Sequence, residues 1–390
     1  MLAHSPPLPL ILDYLDNHDL TPKDEEGILL ALQHHDRVRR IRFEIPALNS
    51  QNIVIVIDEE FPVLEHLFIA PTDFKSLDTG LILPNTFRAP QLRHLILMGF
   101  AFPIGSPLLT ITAGLVTLSL LSLPSSSYFH PNELIQRLSH LPHLEKLMID
   151  FDSPVPNHDA EGQLLHTPVI TRVILPALRW LSFCGTSAYL EALLPQITTP
   201  LIETLHIAFF YQLEFSIPHL QQFLITTENL KFNSAILIFH EKGVHATVFP
   251  RRPGMAALAV EVFCRHLDWQ VSSAAQIFNA LRAASSAVES LRLVYERDTI
   301  SPEWRNEADR TLWRDLLRPF SNMKRLRVDN GLVGELSRTL RSEDGESPTE
   351  LLPELKVLEY PAINDADDAF AAFSAARQNV APPFFLIRIR

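Results

Sequence analysis

One short pattern constrains this chain more than any other feature: leucine, two residues, leucine, one residue and a third apolar side chain, written again and again. It stands at Leu64/Leu67/Ile69, Leu92/Leu95/Leu97, Leu115/Leu118/Leu120, Leu144/Leu147/Ile149 and Leu178/Leu181/Phe183. It continues at Ile202/Leu205/Ile207, Leu220/Phe223/Ile225, Val288/Leu291/Leu293, Met323/Leu326/Val328 and Leu355/Leu358/Tyr360, with Val38/Ile41/Phe43 as a first copy. The last two positions of each copy are two apart, so on a strand they face one side. The first position lies in the approach and tucks beneath. A proline two residues ahead, at Pro62, Pro90, Pro142, Pro176, Pro200, Pro218 and Pro353, suits the turn into the strand, because it fixes φ and has no backbone donor.

A single unit of this size is too small to hide its apolar side, and stacking units in parallel closes a common core. The separations Leu67 to Leu95 and Leu118 to Leu147 fit the period of roughly 20–29 residues of leucine-rich repeats. Leu147 to Leu181 is longer, so the return segments are of unequal length. The fold class expected is α/β: an irregular leucine-rich-repeat solenoid, a curved parallel sheet with helices and loops on the outer side.

Capping signals mark several of those returns as helical. "TPKDEEGILLALQHH" offers Thr21 as N-cap, Pro22 at the first helical position and Asp24 as the capping acid. "HPNELIQRLSHLP" sets Leu134 and Leu138 four apart behind Pro131, with Pro142 expected to end the helix. "SAYLEALLPQI" and "SSAAQIFNALRAA" are further candidates, as is "SPEWRNEADRTLWRDLLRPF", with Ser301 as cap, Pro302 first and Trp304 and Trp313 inward. The pattern fails over 229–268. There "SAILIFHEKGVHATVFP" reads as two strands around a turn at Lys242-Gly243, either an irregular insertion or two degenerate repeats, and "ALAVEVFCRHLDWQ" adds another strand. The organisation expected is an N-terminal helical cap or remnant at 1–35, a repeat region at 36–390, and a C-terminal cap at 364–390. "RSEDGESPTE" is a loop between repeats.

Composition narrows the function classes. With 47% hydrophobic and 20% charged residues in 390, the chain can bury a large core. A formal net charge of −12 argues against a general polyanion binder, so nucleic acid is not an expected partner. Two isolated cysteines, Cys184 and Cys264, make neither a disulfide framework nor a structural zinc knot, which favours a reducing compartment. "MLAHSPPLPLILDYLD" lacks the basic leader of a secretory signal, and no apolar run reaches the roughly 18 residues of a membrane span. The expectation is an intracellular protein, cytoplasmic or nuclear, with no membrane partner.

Several segments together, "DEEGILLALQHHDRVRRIRF", "DEEFPVLEHLFIAP", "APQLRHLILMGFAFPIGSPLL", "ITTPLIETLHIAFF", "HLDWQVSSAAQIFNAL" and "RPFSNMKRLRV", are similar to those of fungal, mushroom-type F-box/leucine-rich-repeat proteins. The resemblance spans nearly the full length. It implies a receptor that selects protein targets for a cullin-type ubiquitin ligase. Only 20 residues precede Thr21, too few for the packed helices of an F-box, so a chain without that module is expected. An adaptor would then be recruited only if such a module lay upstream. The asparagine that regular repeats place three residues after the triplet is replaced here by Thr72, Phe100, Leu123, Asp152, Thr186 and Phe210. Backbone contacts must therefore satisfy neighbouring coils.

No phosphate loop, dinucleotide fingerprint, HExxH or GxSxG is present, and neither an enzyme nor a cofactor is expected. His34-His35-Asp36 point apart on a helix end. His240 and His245 flank a turn without an obvious third ligand, and Cys264 and His266 share a strand face without an oxyanion site. A hydrolase cleft in 229–268 is the weakest alternative. What remains is noncovalent recognition by the side chains between the inward leucines. Phe68, Arg93, Ile96, Glu145, Met148, Arg179, Trp180, His206 and Arg292 are the candidate partner surface, where large apolar groups mix with charge. Arg37, Arg39, Arg40 and Arg42 form a basic run. It is read either as a phosphate patch or as a solvated first strand that pairs with Asp58–Glu60 or the acids of "KDEE" and discourages edge pairing. A scaffold protein with no ligase link is the main alternative function.

Overall fold

A computed structural model of the chain describes residues 8–15, 20–73, 81–153, 172–227, 229–230, 232–250, 257–296, 308–341, 347, 349–361, 370–378 and 384–389. Ser301, Pro302 and Trp304, and much of "RSEDGESPTE", lie outside these residues. The chain divides into two compact units, 1–202 and 203–390.

The first unit contains β1 (Leu10–Leu15), β2 (Val38–Ile45), β3 (His66–Pro71), β4 (Leu81–Ile82), β5 (His94–Met98), β6 (Phe100–Ala101), β7 (Thr117–Leu123), β8 (Lys146–Phe151), β9 (Val173–Ile174), β10 (Trp180–Gly185) and β11 (Ile197–Thr198). Seven of them form one parallel sheet in the order β1-β2-β3-β5-β7-β8-β10. The strand register turns the repeated triplet into rows. Ile41, Leu67, Leu95, Leu118, Leu147 and Leu181 lie side by side, and Phe43, Ile69, Leu97, Leu120, Ile149 and Phe183 form the next row. All twelve are buried, as are the leading residues Leu64, Leu92, Leu115, Leu144 and Leu178. At about 1.5–3 kcal/mol for each fully buried large aliphatic side chain, these rows contribute much of what holds neighbouring strands together.

The prolines ahead of the triplets have a defined mechanical role. The N–H of Leu64 bonds the carbonyl of Phe61, Leu92 that of Ala89, Leu144 that of Leu141, Leu178 that of Leu175, Ile202 that of Thr199 and Leu355 that of Leu352. Each bond closes a four-residue turn with proline at its second position, where a fixed φ near −65° is already correct. Where asparagine is missing, backbone contacts do take over: Thr72 N–H reaches Ile45 O and Asp152 N–H reaches Leu123 O.

Helix Pro22–Leu32 starts as the capping residues predict, with Thr21 Oγ1 accepting the Asp24 N–H at 3.3 Å. Helix Pro131–Leu138 uses a less familiar cap. The His130 ring nitrogen accepts the Asn132 N–H at 3.1 Å, and Glu133 accepts the His130 N–H at 3.0 Å. Three expectations need correction here. Residues 10–15, inside the segment expected as a helical cap, form a strand, because their alternating side chains match the sheet's period rather than a helix's. The basic strand β2 is consequently not an edge, since β1 covers it. Helix Pro131–Leu138 also stops four residues before Pro142.

The second unit contains β12 (Thr204–Phe210), β13 (Ser234–His240), β14 (Gly243–Phe249), β15 (Leu258–Phe263), β16 (Ser290–Tyr295), β17 (Arg325–Val328), β18 (Val357–Pro361) and β19 (Phe385–Ile389). Their order is β12-β15-β14-β13-β16-β17-β18-β19. β14 is antiparallel to both neighbours, while the other pairs are parallel. The irregular region 229–268 is therefore an antiparallel meander set into the sheet, and its hairpin is the one read from the sequence. Gly243 is required there for a packing reason: a Cβ would lie 2.2 Å from Val262 O. Leu220/Phe223/Ile225 is not a repeat copy. Pro218–Thr226 is a helix in which Leu220, Phe223 and Leu224 face inward and Ile225 is 57% exposed.

The C-terminal part combines a helix, Ala371–Gln378, with the strand β19. Arg377 ties it down. Its guanidinium is fully buried, donates to the carbonyls of Leu352, Pro353 and Leu355 at 2.9, 3.1 and 3.3 Å, and lies over the rings of Phe373 and Phe384. Those carbonyls belong to the turn that leads into β18.

Candidate functional site

An all-parallel sheet normally has both faces covered by helices. In the first unit only one face carries the apolar rows. The alternate positions, apart from the buried Ser119, are partly or fully exposed and fall in register as two further rows. One reads Ile11, Arg40, His66, His94, Thr117, Lys146 and Trp180, and the other Asp13, Arg42, Phe68, Ile96, Ser119, Met148 and Ser182. A third line, at the approach to the strands, carries Arg39, Glu65, Arg93, Val116, Glu145 and Arg179, linked by successive backbone bonds.

Local contacts organise this face. Arg42 stands over the Phe68 ring at 5.6 Å, and Lys146 Nζ over Trp180 at 5.0 Å. The imidazoles of His66 and His94 stack, 4.3 Å between centroids and 10° between planes, and His94 Nδ1 lies 3.1 Å from Thr117 Oγ1. Burial lowers both histidines below the usual 6.5. The neighbouring His94 and Arg40 add to this for His66, and Arg93 does so for His94. The pair is thus neutral at pH 7, which lets two rings stack without charge repulsion. Arg40, Arg42, His66, Phe68, His94 and Ile96 line a shallow concavity of about 350 Å³. The Trp180 indole nitrogen is buried and has no hydrogen-bond partner among the described residues.

The residues singled out in the sequence divide by position. Phe68, Ile96, Met148 and Trp180 are half-buried on this face, while Arg93, Glu145 and Arg179 are exposed at its approach. Arg40 and Arg42 belong to the face, but Arg37 donates to Leu8 O at 3.0 Å and Arg39 pairs with Glu65 at 2.9 Å, an acid outside the two expected groups. His35 Nδ1 is engaged with Glu60 O at 2.8 Å. His206 and Arg292 belong to the second unit, in a row His206, Ala259, Thr247, Ile236, Arg292, Arg327 and Glu359.

In that second unit the meander assembles a cluster that sequence spacing hides. His206 on β12, His245 on β14 and Glu261 on β15 bring one ligand atom each within 4.8 Å of the others. His245 Nδ1 is 3.9 Å from Glu261 Oε2, and its Nε2 is 2.8 Å from Thr247 Oγ1. Burial works to raise the Glu261 carboxyl, but the hydrogen bond and charge of His245, with His240 and His206, outweigh it and hold the group below its usual value. His240, the partner that the sequence suggests for His245, is not in the cluster, because it lies five residues along a hairpin that pairs His245 with Ile238 instead. Proximity between a glutamate and two histidines on three different strands leaves no trace in a linear motif.

Cys264 and His266 do not share a strand, since β15 ends at Phe263. Burial pushes the Cys264 thiol up to about 12, and its Sγ faces Val262 O. A thiol so held is a poor nucleophile.

No family model matches the chain, and no curated protein matches it. Among solved structures, the leucine-rich repeat-containing protein LegL7 from Legionella pneumophila aligns over 93% of this chain and 97% of its own, at 11% identity and a TM-score of 0.33. Nothing about function transfers at that level. Among the described residues no helix is long and apolar enough to cross a membrane.

Proposed function

We propose that the chain is a noncatalytic, leucine-rich-repeat-type recognition protein whose first unit docks a protein segment bearing acidic and apolar side chains. One observation carries this reading. The two central rows of the partly exposed face hold Arg40, Arg42 and Lys146 around Phe68, Ile96, Met148 and Trp180, with Asp13 as their one anion, on a chain of net charge −12. Aromatic and aliphatic groups set among cations suit a partner that inserts apolar anchors and brings carboxylates to the arginines. The neutral histidine stack gives this face a flat, uncharged centre. Selection of ubiquitin-ligase targets is a narrower reading that rests on the F-box resemblance alone, and a scaffold without an adaptor uses the same face.

Selection from a displayed library of random peptides tests the docking proposal. The native chain should enrich peptides that combine acids with aromatic or aliphatic residues, and the triple variant R40E/R42E/K146E should lose them. Enrichment that survives the triple variant unchanged, or selection of basic peptides, would overturn it.

A further inference from the structure

We infer that His206, His245 and Glu261 form a binding site for a divalent first-row transition ion of the zinc type, in the second unit and independent of the docking face. Two imidazoles and one carboxylate are the donor set such ions favour. Around a tetrahedral zinc with bonds of about 2.0–2.1 Å, ligand atoms lie about 3.3 Å apart. The three atoms here already lie within 4.8 Å, so side-chain movement on the order of 1 Å closes the set.

The surroundings fit the same use. Ala259 stands in register beside His206 and Ala208 beside Glu261, so two small side chains leave room above the sheet between the ligands. Thr247, two residues along β14, engages the His245 Nε2 and orients the ring. When an ion takes the place of the Nδ1 proton that faces Glu261, Nε2 keeps its own proton and donates it to Thr247, so Nδ1 is left with a lone pair for the metal, the arrangement by which metal-bound imidazoles are fixed from outside the coordination shell. Strands, rather than loops, position all three ligands. The side chains of His245 and Glu261 remain 29% and 22% exposed, which lets an ion enter and leaves further positions to water.

Titration of the full chain with Zn²⁺ by calorimetry, and with Co²⁺ by visible absorption, tests the site. One equivalent should bind, and His206→Ala, His245→Ala and Glu261→Gln should each weaken it at least tenfold. Thr247→Val should weaken it by roughly tenfold, as loss of an orienting partner typically does, while the double variant H66A/H94A in the other unit should leave it unchanged. X-ray absorption on the zinc-loaded native chain, which no misfolded variant can confuse, should show two imidazole ligands at about 2.0 Å. No bound equivalent, fewer than two imidazoles on the metal, or loss of binding through H66A/H94A instead would each overturn the assignment.

Discussion

Replacing Leu147 by alanine probes the shared core most directly. Leu147 is 0% exposed and sits in register between Leu118 and Leu181, with Leu144 tucked ahead of it. Neighbours on both sides belong to the rigid sheet, so the site cannot collapse to fill the space. The loss should therefore lie in the middle or upper part of the 2–5 kcal/mol range of buried leucine truncations, about 3–4 kcal/mol. With a urea slope of about 2 kcal/mol per molar, the midpoint should drop by about 1.5–2 M. Far-UV circular dichroism across a urea series reads this. Met148→Ala supplies the control, because Met148 is next in sequence but half-buried on the other face. Its cost should stay below about 1 kcal/mol. Equal losses from the two substitutions would refute the claim that alternate residues face a core and an exposed surface.

Other outcomes follow from individual groups. His66 and His94 titrate below 6.5 when folded, so the folded chain binds fewer protons than the unfolded one. Stability should be full above pH 6.5 and fall as pH drops through the lowered folded values, and H66Q/H94Q should flatten that fall in a series of melting curves. Arg39, Arg40, Arg93, Glu65 and Glu145 face the pair, and the same variant keeps them in place. Arg377→Ala should cost about 2–4 kcal/mol by removing the donor from the carbonyls of Pro353 and Leu355 and leaving that of Leu352 with its turn bond from Leu355 alone, measured by urea midpoint; a change under about 0.5 kcal/mol would remove its anchoring role. Cys264, pushed up from 9.0 to about 12, carries roughly a thousandth of the ordinary thiolate, so a thiol reagent near pH 8 should modify it only after denaturation. Rapid labelling in the folded chain, mapped by mass spectrometry, would contradict its burial.

Much of the strand pattern is legible in the order of residues. The triplets from Leu64 to Leu178 all form neighbouring strands because a period of two behind a tight turn, with proline in every case but Leu115, leaves the backbone few alternatives. The pattern misleads at Leu220/Phe223/Ile225. An apolar pair three apart behind a proline also starts a helix, and Leu224 decides between them by completing a helical face. The strand at Leu10–Leu15 completes no triplet, so the repeat pattern does not reveal it. Arg377 is equally hidden, since an arginine near the C-terminus reads as solvent-facing until its carbonyl acceptors, more than twenty residues earlier, are placed around it.

The candidate sites divide the same way. Phe68, Ile96, Met148 and Trp180 are legible as outward positions, since alternation is a local property of a strand. That Arg40 and Arg42 join them while Arg39 is neutralised by Glu65 depends on which strands are neighbours, and the cluster of His206, His245 and Glu261 depends on it wholly. By itself the sequence determined strand positions, inward and outward faces and the turns between them, because these follow from φ restrictions and a two-residue period within a few bonds. Only the tertiary structure decided which outward residues meet, because register, and the reversal of β14 against its neighbours, are set by packing between segments far apart in the chain.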